Sequence, residues 1–392
     1  MRTNRIQAGF AALSIVVLLM SACGGGGEGV TGTTTVLSAY VANYGDGTIS
    51  QYTINPSTGA LTPKSPPTVV SDSALPASSG PTSIAVAVYS GYAKYAYIAN
   101  SLAGISQFTI GRGGVLQAMN PASVLSGGGG LSPTSVAVDP SGKYLYAVNS
   151  SGDEIAQFTI GMSGALTPMS PNPTVSYGTG SGTYASIAVD PTGQFVYVAD
   201  WSNNLIAQFT IGAGGALQTM TAVSTGPNSY PISIGFDPAG KYAYVVNYGN
   251  AGSSVKSTVT QYSIATSGTP GALASVSTAT PTQLDNATSI AIDKAGAYAY
   301  VACGYGLYQL PIYSDGSLII SVAPILTGGT TPQSVAIDPS GKFVYVTNQI
   351  GNNGISATGS VSQFNVGTGF VYAKDVSAGN QAYFITTAVS IQ

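Results

Sequence analysis

The chain has 392 residues and no histidine. That absence excludes Ser-His-Asp triads, imidazole general bases and His-ligated metals. Cysteine is nearly as scarce. Only Cys23 and Cys303 occur, and Cys23 is claimed below by an N-terminal signal, so no intramolecular disulfide is expected. Charged residues make up 6 % of the chain, and the formal net charge is −3. Such a balance offers no basic surface for nucleic acid or anionic lipid. No metal-ligand spacing, phosphate loop or dinucleotide fingerprint occurs, so neither a metal nor a cofactor is expected. Tryptophan appears once, as Trp201, and beyond the first 22 residues arginine also appears once, as Arg112. Helical periodicity is missing past the N-terminus.

What the chain does have is a repeat. Residues 331–348 read TPQSVAIDPSGKFVYVTN. SVAI is a short apolar run, DPSGK is a turn in which Pro presets φ and Gly accepts positive φ, and FVYVTN is β-branched and aromatic. Copies stand at residues 132–149, 183–200, 230–247 and 286–303. One full unit, residues 183–223, holds four strands: SIAV (a), FVYVAD (b), LIAQFTI (c) and LQTMTAV (d). The strand-b tyrosines Tyr40, Tyr97, Tyr146, Tyr197, Tyr244, Tyr300 and Tyr345 are 45 to 57 residues apart. Seven units of four strands predict an all-β, seven-bladed propeller over residues 36–392. The first unit lacks strand a, while residues 383–391, YFITTAVSI, form a spare strand at the other end. Placed as the innermost strand of blade one, that segment closes the ring.

Several repeated features read as scaffold. The a–b turn aspartates Asp139, Asp190, Asp237, Asp293 and Asp338 are expected to cap backbone N–H groups. The strand-c glutamines Gln51, Gln107, Gln157, Gln208, Gln261 and Gln363 recur blade after blade, as structural hydrogen-bonding groups do. Cys303 sits in a strand pattern and reads as a small buried residue.

At the N-terminus, Arg2 and Arg5 precede an apolar stretch over residues 6–19, and LMSAC follows at 19–23. The segment resembles a bacterial lipoprotein signal peptide, residues 1–22, that leaves Cys23 as the lipid-modified first residue. Residues 23–35 read as the anchor and a Gly/Thr tether. The resemblance implies a cell-envelope protein held to the membrane through Cys23, and Gly24, in place of Asp, points to the outer membrane. Removal of Arg2 and Arg5 leaves 9 basic and 14 acidic residues, a net charge of −5.

The VYVTN of residues 344–348, with YVAN, YIAN, YAVN, YVAD, YVVN and YVAC at the matching places, resembles the YVTN-type repeat. The domain as a whole is similar to the lactonase-like seven-bladed propellers. That family includes phosphogluconolactonase-like enzymes, muconate-lactonising relatives and many secreted proteins, so the resemblance speaks for fold more than for activity.

The b–c loops hold the polar variety on the face opposite the a–b turns, and loops on a rigid scaffold are where function concentrates. Candidate catalytic groups there are Asp200 and Asp153 as bases and Lys256 as an electrophile. Candidate ligand contacts are Asp46, Glu154, Trp201, Asn203, Asn247, Tyr248 and Gln349. Arg112 falls in a c–d turn, on the other face. A surface rich in Asn, Tyr and Trp and poor in charge suits glycan or peptide contact. The first expectation is therefore a monomeric, lipid-anchored module that binds a polysaccharide or protein through its b–c face. The alternative, from a different class, is a lactonase that opens a sugar lactone with a carboxylate base.

Overall fold

The computed structural model describes residues 35–391 except 73–79, 102, 126–131, 150, 179–184, 250–255, 280–283, 285, 305, 320–322, 351–357 and 367–369. The proposed signal peptide, Cys23 and nearly all of the tether lie outside the described residues. Strands assemble into seven antiparallel sheets in which sequence neighbours are also spatial neighbours. Blade two shows the pattern, with strands Pro81–Tyr89, Tyr92–Asn100, Gly104–Ile110 and Leu116–Val124. In blades three and four the outermost strand is broken into two short pieces, Leu166–Pro168 with Thr174–Ser176 and Leu217–Thr219 with Val223–Ser224. The innermost strands touch one another right round the ring.

Closure is as the sequence suggests. The C-terminal strand Ala382–Ile391 pairs with Thr35–Asn43 and takes the innermost place in blade one. Blade one therefore contains both ends of the described chain. The join is also tied outside that sheet, because the Tyr345 hydroxyl of blade seven donates to the Gly59 carbonyl of blade one at 2.7 Å.

Repeated residues account for how the blades hold together. Apolar clusters lie between blades rather than within them; one joins Ala85 and Tyr97 of blade two to Val136 and Phe158 of blade three. Inner strands are covered on both sides, which explains their near-continuous apolar runs. Each strand-b tyrosine from Tyr40 to Tyr244 donates to a glycine carbonyl in the next blade's c–d turn, as Tyr97 does to Gly164 and Tyr146 to Gly215. The strand-c glutamines accept from the first residue of the next blade's strand d: Leu116 N–H to Gln51, Leu166 to Gln107, Leu217 to Gln157, each at 2.7 Å. Strand-a serines tie the inner ring, with Ser83 accepting from Val136 and Ser135 from Ile187. The a–b aspartates are turn formers: one oxygen of Asp139 takes the N–H groups of Lys143 and Tyr144 and the other takes Ser141. Cys303 is buried, its thiol against the Gly306 carbonyl.

Candidate active site

Strand b of most blades ends in a buried asparagine, and what that residue touches decides where chemistry can sit. Asn43 Nδ2 donates to the hydroxyls of Thr48 and Ser50, Asn100 to Ser106, Asn247 to Thr258 and Thr260, and Asn348 to Ser360 and Ser362. In these blades the amide clasps strand c, and the hydroxyl it needs stands one residue before the repeated glutamine. Blade six departs with Cys303 and Tyr308 at the two places, and blades three and four depart with Ala156 and Ala207 at the hydroxyl's place. Alanine cannot accept a hydrogen bond, so neither Asn149 nor Asp200 is held there. Blade four further replaces the asparagine with an acid.

Asp200 ends strand Phe195–Asp200 and is fully buried. Its Oδ1 accepts the Asn203 backbone N–H at 3.0 Å and its Oδ2 accepts Asn203 Nδ2 at 2.7 Å. Asp153 enters from blade three, where it occupies the left-handed turn position, φ 49°, just before strand Glu154–Ile160. Asp153 is 4 % exposed. The two acids approach a common point. A Cβ placed on Gly178 would lie 3.2 Å from Asp200 Oδ2, 3.3 Å from Asn203 Nδ2 and 3.6 Å from the Asp153 carboxyl carbon. Gly178 therefore leaves open the small space that both carboxyl groups border.

Electrostatics follow from that placement. Burial pushes the Asp200 carboxyl above the usual range, and the charge of Asp153 pushes the same way, against the Asn203 hydrogen bonds. A carboxylate made more basic in this way is suited to take a proton from water. Among the described residues, no group of three or more Cys, Asp or Glu is arranged to hold a metal ion.

The other candidates are placed as follows. Trp201 is partly buried, with Tyr230 and Tyr248 at ring-centroid distances of 5.0 and 5.1 Å. Asn203 is exposed and serves Asp200 directly. Glu154 lies against Gly152 on the loop, with side-chain atoms 3.7 to 3.9 Å from where a Gly152 Cβ would be. Lys256 is exposed and precedes buried Ser257, whose hydroxyl donates to the Tyr248 carbonyl. Asp46 is exposed at the junction of blades one and seven and caps Thr48. Asn247 is one of the clasped asparagines, and Gln349 lies inside strand Phe343–Ile350 rather than after it. The structure thus gathers Asp153, Asp200, Asn203 and Gly178, sets Trp201 and Tyr248 beside them, and leaves Asp46, Asn247 and Gln349 in other blades. Gly178 and Tyr230 were not anticipated. The alanines at 156 and 207 were the available signal, since they stand where four other blades carry Ser or Thr.

Arg112 and Lys64 stand elsewhere. Arg112 occupies the c–d turn Arg112–Gly114 of blade two. Lys64, beside that turn, donates to the Gly113 carbonyl at 2.6 Å and to Thr53, and burial lowers its amine to about 8.

The sequence profile described as "Lactonase, 7-bladed beta-propeller" matches residues 40–358. The chain belongs to that lactonase family. No curated protein matches it. Among solved structures, this lactonase-family propeller resembles a protein from Lactobacillus plantarum at 18 % identity and TM-score 0.70, covering 90 % of this chain and 99 % of that one. It also resembles a Bacteroides fragilis protein provisionally named a 6-phosphogluconolactonase, at 21 % identity and TM-score 0.68, covering 90 % and 98 %. A periplasmic gluconolactonase of Pseudomonas aeruginosa is similar at 17 % identity and TM-score 0.67, covering 91 % and 99 %. At these identities the likeness concerns the fold.

Proposed function

We propose that the protein is a lactonase that hydrolyses a sugar lactone at the junction of blades three and four. The observation that carries this reading is the buried Asp200 carboxylate beside Asp153, in a blade whose strand b ends in an acid and whose clasping hydroxyl is replaced by Ala207. Membership of the lactonase family supports it, as do the names of the Bacteroides and Pseudomonas neighbours. Together these favour hydrolysis over the binding-only module expected first.

In the proposed mechanism Asp200 takes a proton from a water molecule as the water oxygen attacks the lactone carbonyl. The tetrahedral intermediate collapses by breaking the ring C–O bond, and the departing ring oxygen takes the proton back from Asp200. The products are the hydroxy acid and a regenerated carboxylate. Asn203 fixes the orientation of Asp200 through two hydrogen bonds. Asp153 raises the basicity of Asp200 by its charge.

Steady-state turnover on a panel of aldonolactones tests the reading. Wild type should hydrolyse at least one of them above the spontaneous rate, and Asp200→Asn should abolish the excess. No excess across the panel would return the protein to the binding-module reading. The cell-envelope location belongs to the same proposal: Cys23 carries a lipid anchor, and metabolic labelling with a fatty acid should mark wild type but not Cys23→Ser. Among the described residues, no helix is long and apolar enough to cross a membrane.

A further inference from the structure

Trp201 follows Asp200 directly in the chain, and consecutive Cα atoms are about 3.8 Å apart. The carboxylate turns toward blade three, where Gly178 and Asp153 meet it. The indole turns the other way, toward Tyr230 and Tyr248 of blade five, and rests on the apolar cluster that contains Ile232, Leu284 and Ala287. All three rings are partly buried, so each keeps some surface open to solvent.

Tyr230 is held in this group at a conformational cost. Its φ is 52°, a left-handed conformation that bulky residues avoid. Three contacts impose it. Asn204 Oδ1 accepts the Tyr230 N–H at 2.9 Å, the Tyr230 carbonyl accepts the Tyr248 N–H at 2.9 Å, and the neighbouring Ser229 carbonyl accepts the Gly249 N–H at 2.9 Å. Asn204 is itself in the left-handed region, φ 54°. The chain bends at two non-glycine positions and so presents Tyr230 to the only tryptophan of the molecule.

Charge sorts the ligands such a surface can take. Asp200 precedes Trp201 in the chain, and Asp153 borders the same small space as Asp200. Like charges at close range oppose a phosphate. Lys256 is the one basic residue of the b–c loops, and an exposed lysine contributes little attraction. Arg112 stands in the c–d turn of blade two, and Lys64 donates to the Gly113 carbonyl of the same turn. An uncharged ring with C–H groups on one face and hydroxyls at its edge suits an aromatic platform bordered by acids.

We infer that Trp201, buttressed by Tyr230 and Tyr248, is the stacking face for the substrate ring, and that the site selects unphosphorylated aldonolactones over phosphorylated ones. This rests on the lactonase reading above for the identity of the ring, but not for the stacking.

The single tryptophan is its own probe. Full-length protein would be titrated with glucono-1,5-lactam, an uncharged analogue that does not open, and with its 6-phosphate, following Trp201 fluorescence and, in parallel, heat by calorimetry. The expected result is saturable binding of the lactam with a changed indole signal, and at least about tenfold weaker binding of the phosphate, a difference of about 1.4 kcal/mol. Tyr230→Ala and Tyr248→Ala should each weaken lactam binding about three- to tenfold while Tyr230→Phe retains it, in line with the strength of single aromatic contacts. Melting curves establish that the variants fold. Equal or tighter binding of the phosphate overturns the selectivity. Lactam binding that neither perturbs Trp201 nor responds to the alanine variants overturns the stacking face while leaving the lactonase reading intact. Lactam binding with the expected signature in a protein that hydrolyses no lactone keeps the platform and sinks the lactonase reading instead.

Discussion

Blade two and blade four share a plan and diverge at two side chains. In blade two, Asn100 reaches across to Ser106 and both are buried. In blade four the same two places hold Asp200 and Ala207. The first pair is a clasp that fixes strand b to strand c. The second has no clasp, and its acid turns to the loop residue Asn203 and shares a small space with Asp153. The difference teaches how a repeat accommodates function. Six other blades supply the stability, so one junction can carry a buried charge that is a burden to the fold.

The largest expected effect breaks the frame in which both blades sit. Deleting residues 381–392 removes the innermost strand of blade one and exposes the partners of Tyr383, Phe384 and Ile385, all buried. Burial of side chains of this size contributes about 1.5–3 kcal/mol each, and three together rival the whole stability of a domain. Thermal unfolding of the truncated protein should lose its cooperative transition. Retention of the full-length melting temperature would sink the closure.

Next in size is a dissociation between the two kinds of blade. Asp200→Asn should lower kcat/KM by about 10²–10⁴-fold, the usual contribution of a general base. Its melting temperature should match or exceed wild type. The sign follows from protonation: the carboxyl is raised in the fold, so stability falls as pH rises from the ordinary aspartate range through the folded value. At neutral pH the ionised side chain is a net cost, which asparagine removes. Asn247→Ala in blade five should do the reverse. It strands the hydroxyls of Thr258 and Thr260 and should cost about 1–3 kcal/mol in denaturant unfolding, with turnover unchanged. If both variants lost stability and neither lost activity, the distinction between the two junctions would fail.

A smaller effect concerns pH. The charge of Asp153 raises the Asp200 carboxyl. Asp153→Asn removes that charge, so the acid limb of the kcat/KM profile should move to lower pH, while burial, the larger cause, keeps the carboxyl raised. An unmoved limb, or one moved upward, would mean that the two carboxyl groups do not interact.

How much of this was legible in the sequence depends on whether a feature repeats. Tyr97, Gln107 and Asp139 each recur around the ring, so period alone marked them as scaffold, and their hydrogen bonds agree. The closing strand was legible because an unpaired strand pattern at one end matched a missing one at the other. Asp200, Trp201 and Asn203 were singled out as departures in a loop, yet so were Asp46, Asn247 and Gln349, which lie in other blades. Side-chain type told the two groups apart poorly. The second strand of each hairpin decides between them: an asparagine opposite Ser or Thr is clasped, and an acid opposite Ala is not. Gly178 could not be found at all from the sequence, since its role is to leave space between residues of two blades. Tyr230 was hidden for a related reason. It follows a d–a connection, and Asn204 and Tyr248, each on another loop, hold it in place.

The smallest effect is the one that returns blade four to the common plan. In Asp200→Asn the amide regains a donor but finds a methyl group at Ala207, which is buried in the apolar cluster between blades three and four. Adding Ala207→Ser supplies the missing hydroxyl at the place Ser106 holds in blade two. The double variant should be more stable than Asp200→Asn by about 0.5–1.5 kcal/mol, the net value of one buried hydrogen bond. Ala207→Ser alone should gain nothing, because the new hydroxyl would have to displace Asn203 from a carboxylate already satisfied by it. Only the combination rebuilds the clasp, so the cycle of four proteins should show a favourable coupling between positions 200 and 207. Additive changes would mean that the strand-b asparagines are passengers in the other blades, and that the loss of the clasp in blade four has nothing to do with its acid.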